Sequence, residues 1–83
     1  MKVYPNPVKT LATIDLSVET PGKASVYVRD INGRIIKTIF LTDQLLKGNQ
    51  QFELFTAGFD SGTYIVELRT DNQITQQKII VSK

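Results

Sequence analysis

The sequence predicts an all-β chain, an Ig-like antiparallel β-sandwich of six to seven short strands. Three observations carry that expectation. Apolar and polar residues alternate with period two in several short runs, as in Ala24-Ser25-Val26-Tyr27-Val28-Arg29. Turn-forming residues separate these runs about every ten residues. No stretch sustains helical spacing over the length of an ordinary helix. With 83 residues the chain forms one domain, 1–83, large enough for a single modest core.

Taken in order, Val3-Tyr4-Pro5-Asn6-Pro7-Val8 opens the chain. Two prolines lack N–H groups and push Tyr4 and Asn6 towards extended geometry, so an extended strip along a sheet edge is expected, anchored by Val3, Tyr4 and Val8. From Leu11 to Val18, Ala12, Ile14, Leu16 and Val18 alternate with Thr13, Asp15 and Ser17, the pattern of a half-buried strand. Thr20-Pro21-Gly22-Lys23 is turn chemistry.

The central hairpin runs from Ala24 to Leu41 around Asp30-Ile31-Asn32-Gly33-Arg34. Asn32-Gly33 as a two-residue turn would set Val28 opposite Lys37. Asp30 opening a type I turn, with Gly33 left-handed after it, makes a three-residue loop with a bulge. The second reading sets Val28 opposite Ile36 and Val26 opposite Thr38, keeping lysine off the buried face. That is the expected register.

Leu41 to Asn49 is weakly periodic and reads as a loop with Leu45 or Leu46 turned inward. Gln51–Phe55 follows as a short strand with Phe52 and Leu54 on one face. Thr56 to Gly62 is a connection holding two glycines, and Phe59 is expected to plug the end of the core. Thr63–Thr70 is a strand with Tyr64, Val66 and Leu68 inward, and Glu67 and Arg69 outward. Asp71-Asn72 turns it, and Gln73–Ser82 returns with Tyr64 facing Ile79 and Ile65 facing Lys78. The last strand is apolar on both faces at Ile79-Ile80-Val81. Burial of the terminal strand accounts for that, and so does a strand shared with a receptor.

Composition removes several functions. There is no cysteine for a disulfide framework or thiolate site, and no histidine, the commonest general base and metal ligand. Ten basic residues against eight acidic ones give +2, and they are dispersed from Lys2 to Lys83, which is no footprint for nucleic acid. No apolar run approaches membrane-spanning length, so membrane insertion is not expected. No signal peptide opens the chain, and Met1-Lys2 running straight into structured sequence reads as the start of a fragment of a longer protein.

Candidate chemistry is thin. Among Asp15, Asp30, Asp43, Asp60 and Asp71, three lie in turns, where aspartate bonds to its own backbone. Asp30-x-Asn32-Gly33 starts like a calcium loop but lacks the later carboxylates. Tyr27, Phe55 and Phe59 could make an aromatic platform for sugar, against which stands ordinary core or rim packing. The residues by themselves describe a β-sandwich with no active site and no cofactor.

Five short pieces add to this. They are Tyr4-Pro5-Asn6-Pro7, the Asp30-x-x-Gly33-Arg34 turn after Val-x-Val, Gly48-Asn49 before Phe52-x-Leu54, Gly62-x-Tyr64, and Lys78-Ile79-Ile80-Val81-x-Lys83. In this order and spacing, over essentially the whole chain, they resemble the C-terminal sorting domain of cargo proteins of the type IX secretion system of Bacteroidetes bacteria. The subtype with the Pro-Asn-Pro opening (type A) fits best.

The resemblance implies a delivery label rather than an enzyme. Such domains end large secreted enzymes and adhesins, whose cargo crosses the inner membrane by an upstream signal peptide and folds in the periplasm. The outer-membrane translocon then recognises the domain. A sortase-like peptidase cuts upstream of it, here before Tyr4, and the cargo is joined to an anionic lipopolysaccharide at the cell surface or released outside. The residues carrying the signal would be Pro5, Asn6, Pro7, Gly33, Arg34, Gly62, Tyr64, Lys78, Ile79, Val81 and Lys83. No cofactor is implied, and self-association through uncovered edge strands stays open. The rival is a fibronectin type III-like accessory, spacer or carbohydrate-binding module of a secreted enzyme, which would need an exposed aromatic row.

Overall fold

The structure is a computed structural model that describes the backbone of residues 1–83 and all side chains except those of Asp43 and Gln44. The candidate carboxylate of Asp43 thus lies outside the described residues. Seven strands follow one another: β1 (Lys2–Tyr4), β2 (Leu11–Val18), β3 (Gly22–Asp30), β4 (Ile35–Leu45), β5 (Gly48–Phe55), β6 (Gly62–Thr70) and β7 (Ile74–Val81). They form two antiparallel sheets, one of three strands in the order β1-β2-β5 and one of four in the order β4-β3-β6-β7. The expected sandwich is present.

Period-two alternation puts one face of each sheet into a shared core. Ile14, Leu16 and Leu54 from the smaller sheet meet Val26, Val28, Val66, Ile79 and Val81 from the larger one, all of them buried. The aromatic rings of Phe40 and Phe52 stack at 4.4 Å between their centroids, joining β4 to β5 across the sandwich. On the opposite side, Val8 leaves the first sheet's neighbourhood and forms a parallel bridge to Val81.

At its tip the central hairpin follows the three-residue reading. The Gly33 N–H bonds the Asp30 carbonyl, the Asp30 N–H bonds the Arg34 carbonyl, and Gly33 sits at φ +88°. Beyond the tip the expected register is wrong. Arg29 faces Ile35, but Val28 faces Lys37 and Val26 faces Phe40, because the pairing shifts at two places in between. β4 is an edge strand with one ladder to satisfy, so it can absorb extra residues as bulges. The shift brings both Ile39 and Phe40 against the core, at the expense of leaving Lys37 half-buried opposite a valine.

The same bulging explains a second correction. The stretch expected as a loop after Phe40 continues as β4 to Leu45, which pairs with Gly22 and is buried, while Leu46 is exposed. β5 also begins earlier than expected, at Gly48, since main-chain pairing with Val18, Ser17 and Leu16 recruits residues without apolar side chains. The β6–β7 hairpin has the expected register, with Tyr64 on Ile79 and Ile65 on Lys78.

Three further expectations change. Residues 5–7 bend rather than extend, with cis peptide bonds at Tyr4-Pro5 and Asn6-Pro7. Tyr4 is no anchor and remains 44% exposed on the outer face of the small sheet, while Val3 and Val8 are buried. β7 keeps its alternation to the end: Ile79 and Val81 are buried and Ile80 is 46% exposed. Burial of both faces of the terminal strand is therefore not the reason for its apolar run.

Candidate recognition end of the sandwich

The strand registers gather four of the five sequence pieces at one end of the molecule. Leu11 lies opposite Phe55, Gly62 opposite Val81, and Asp30 opposite Tyr64. Residues 5–8, 30–34, 56–62 and 78–83 thus surround the same end of the sandwich. The remaining piece starts at the far end, where Gly48 pairs with Val18.

The strongest link is between the Pro-Asn-Pro segment and the last strand. β7 is the outermost strand of its sheet and presents unpaired backbone groups to that side. The Asn6 side chain meets them: Oδ1 accepts the Ile80 N–H at 2.9 Å, and Nδ2 donates to the Lys78 carbonyl at 3.4 Å. Val8 continues the seal, donating its N–H to the Ile80 carbonyl and accepting from the Ser82 N–H. In return, the Gln77 amide donates to the Val3 carbonyl on the free side of β1. Two amide side chains thereby close the seam where the margins of the two sheets meet.

Lys83 is not a loose tail. Its N–H donates to Ser61 Oγ at 3.2 Å and its Nζ to the Ala57 carbonyl, both in the connection before β6. That connection is held from below by Thr56, fully buried, whose N–H and Oγ1 donate to the carbonyls of Thr10 and Lys9. Phe59 packs on Tyr64 with ring centroids 5.0 Å apart, as expected for a plug at the core's end. The Tyr64 hydroxyl donates to the Asp60 carbonyl four residues upstream at 2.6 Å.

Facing this connection is the Asp30–Arg34 turn. Asp30 Oδ1 accepts the N–H groups of Asn32 and Arg34, each at 3.0 Å, and Arg34 Nε lies 3.3 Å from Asp30 Oδ2. Arg29 Nη1 donates to the Gly33 carbonyl. The Asp30 carboxylate is therefore occupied in holding its own turn, which is the structural reading of that motif. Between the turn and the connection runs an open groove of about 610 Å³, lined by Arg34, Lys37, Phe55, Phe59 and Asp60 among others. Among the described residues no three carboxylates gather to hold a metal ion.

The candidate residues fall into two groups. Asn6, Lys78, Ile79, Val81, Gly62 and Tyr64 come together through pairing or hydrogen bonds, and Lys83 docks beside them. Arg34 reaches the groove from its other wall, with Gly33 behind it. Pro5 and Pro7 stay exposed on either side of Asn6. Sequence reasoning missed Ser61, Ala57 and Thr56, whose roles rest on one hydroxyl and main-chain carbonyls in a connection without periodicity. The proposed aromatic platform is split: Phe55 and Phe59 share the groove, but Tyr27 lies on the outer face of the other sheet, with the Arg29 guanidinium 5.9 Å from its ring centre.

One charged cluster lies on the outer face of the larger sheet. Glu67 does face outward, yet it is only 3% exposed, covered by Arg29 and Gln76. Arg29 Nη2 stands 3.0 Å and Arg69 Nη2 3.8 Å from its Oε2, and Gln76 Nε2 donates to Oε1 at 2.8 Å. The hydrogen bond from Arg29 chiefly holds the Glu67 carboxyl below the usual glutamate range, against an opposing push from burial.

Comparison with known families gives a match over nearly the whole chain. The sequence profile described as "Secretion system C-terminal sorting domain" matches residues 2–82. Searches of curated proteins and of solved structures gave no significant match.

Proposed function

Because this chain belongs to the family of secretion system C-terminal sorting domains, we propose that the secretion machinery reads it at the end of the sandwich just described. Membership makes the domain a C-terminal sorting signal of type IX secretion, part of a cargo protein and routed through the periplasm to the surface or the exterior. A sorting-signal family is not a catalytic family.

The observation that carries the proposal is the Asn6 seal. Residues from both ends of the chain are bonded into one surface, so the domain presents that surface only when folded. A half-finished or misfolded domain would lack it. The direction of β1 supports the same reading: Lys2 lies opposite Asp15 and Tyr4 opposite Thr13, so a cargo joined ahead of Met1 leaves from the other end. The recognition end stays uncovered.

In this account residues 1–83 form the terminal domain of a larger secreted protein of a Bacteroidetes bacterium. The translocon engages the groove, the Arg34 wall and the Lys83 corner. A sortase-like peptidase then severs the chain upstream of Tyr4 and attaches the cargo to the cell surface. The test is a signal-peptide-bearing fluorescent reporter fused ahead of Met1, in a host that carries the system. The account expects surface fluorescence and a processed reporter lacking the domain. Retention of the intact fusion in the periplasm would contradict it.

A further inference from the structure

We propose that the outer edge of β5 is a docking site for an extended strand of a partner protein, one that sets a basic side chain against Glu53 and an apolar side chain against Phe55. The two sheets have four margins, β1, β5, β4 and β7. Natural sheets guard their margins, because unpaired N–H and C=O groups recruit other strands. Three of the four are guarded here. β1 is three residues long and its Val3 carbonyl is taken by Gln77. β7 is sealed along its second half by Asn6 and Val8. β4 shifts register repeatedly against β3 and carries Lys37.

β5 has none of these devices. Gly48-Asn49-Gln50-Gln51-Phe52-Glu53-Leu54-Phe55 pairs with β2 without a register shift and contains no proline, lysine or arginine. The Thr56 N–H bonds the Thr10 carbonyl, so even-numbered residues turn their backbone groups towards β2. The N–H and C=O groups of Asn49, Gln51, Glu53 and Phe55 consequently face outward, with no other strand beyond them among the described residues.

Side chains define the strand that fits. Those of Gln51, Glu53 and Phe55 are exposed, on the solvent face, with Phe55 at 56%, and Glu53 is the one ionisable group of β5. Opposite charges and apolar pairs facing each other across a ladder are favourable. A second copy of this chain fits poorly. Antiparallel self-pairing within β5 puts Glu53 against Asn49, Gln51, Phe55 or a second Glu53, none of them a cation. Phe55 also lines the groove at the recognition end, so the docked strand leads into it. The proposal holds whether or not the secretion machinery reads that end.

The test uses the 83-residue chain and the capped heptapeptide Thr-Val-Thr-Lys-Thr-Val-Thr, whose symmetric order serves either strand direction. At saturating peptide, amide exchange at Gln51, Glu53 and Phe55 should slow about tenfold or more, while Ile74 and Gln76 on the far margin stay unchanged. Gln51→Pro removes an outward N–H without touching the β2 ladder, and should abolish binding while leaving the denaturation midpoint near wild type. Should that variant fail to fold, Glu53→Lys decides: it should reverse the preference between this peptide and its counterpart with glutamate for lysine. Unchanged exchange, equal binding of the two peptides, or protection that grows with protein concentration in the absence of peptide would each overturn the proposal.

Discussion

The Oδ1 atom of Asn6 accepts the N–H of Ile80 at 2.9 Å, across 74 residues of sequence. With the Nδ2 bond to the Lys78 carbonyl, it lets one side chain stand in for a neighbouring strand. The first and last family motifs are thereby parts of one structure. Asn6→Ala should destabilise the domain by about 1–2 kcal/mol, since it leaves a strand N–H without its partner at a partly exposed site. Amide exchange at Ile80 should accelerate in step. Asn6→Asp keeps the acceptor and loses the donor, so an intermediate denaturation midpoint is expected.

Gly33 at φ +88° occupies a region that β-branched residues resist, and a Cβ there would meet no neighbour. The cost of Gly33→Val is therefore chiefly backbone strain, on the order of 1–3 kcal/mol. Urea titration reads it directly. An unchanged midpoint would mean that the turn has another conformation.

Glu67 makes stability depend on acid. Its folded-state carboxyl is held below the usual range, so the unfolded chain takes up the proton first as pH falls. The contribution is complete above the ordinary glutamate range and is lost as pH drops through it towards the folded value. Glu67→Gln should flatten the stability curve between about pH 5 and pH 3 and leave no slope from this site near neutrality. Denaturation midpoints of both proteins across that window give the comparison.

At the terminal strand, packing and recognition separate. Ile79→Ala should cost about 2–4 kcal/mol, because the side chain is fully buried opposite Tyr64. Removing Lys83 takes away two exposed hydrogen bonds and should cost roughly 0.5–1 kcal/mol, within reach of an ordinary melting experiment.

Much of this fold was legible in the alternating strands. The Tyr64–Ile79 register followed from Asp71-Asn72, where a two-residue turn leaves a single way to pair the strands. The Val28–Ile36 register did not follow from its own turn, although that turn was read correctly. An edge strand tolerates bulges, and placing both Ile39 and Phe40 against the core outweighed an unbroken ladder. The outward face of Glu67 was legible but its burial was not, because alternation reports the face of a sheet, while the cover comes from Arg29 and Gln76 on neighbouring strands. At the recognition end, Tyr64 and Val81 could be placed by periodicity. Asn6 could not, because its partners are backbone groups at the other end of the chain.

The central claim is that one end of the sandwich carries the signal, and paired charge removals test it most directly. Arg34→Ala with deletion of Lys83 alters the recognition end. Lys23→Ala with Lys47→Ala, all at exposed positions, removes the same charge near the opposite end. The measurement is surface display of the reporter for both pairs, after each domain is shown to be folded. The account predicts that the first pair traps the reporter in the periplasm and that the second is displayed like wild type. Equal display of the two folded pairs would contradict it.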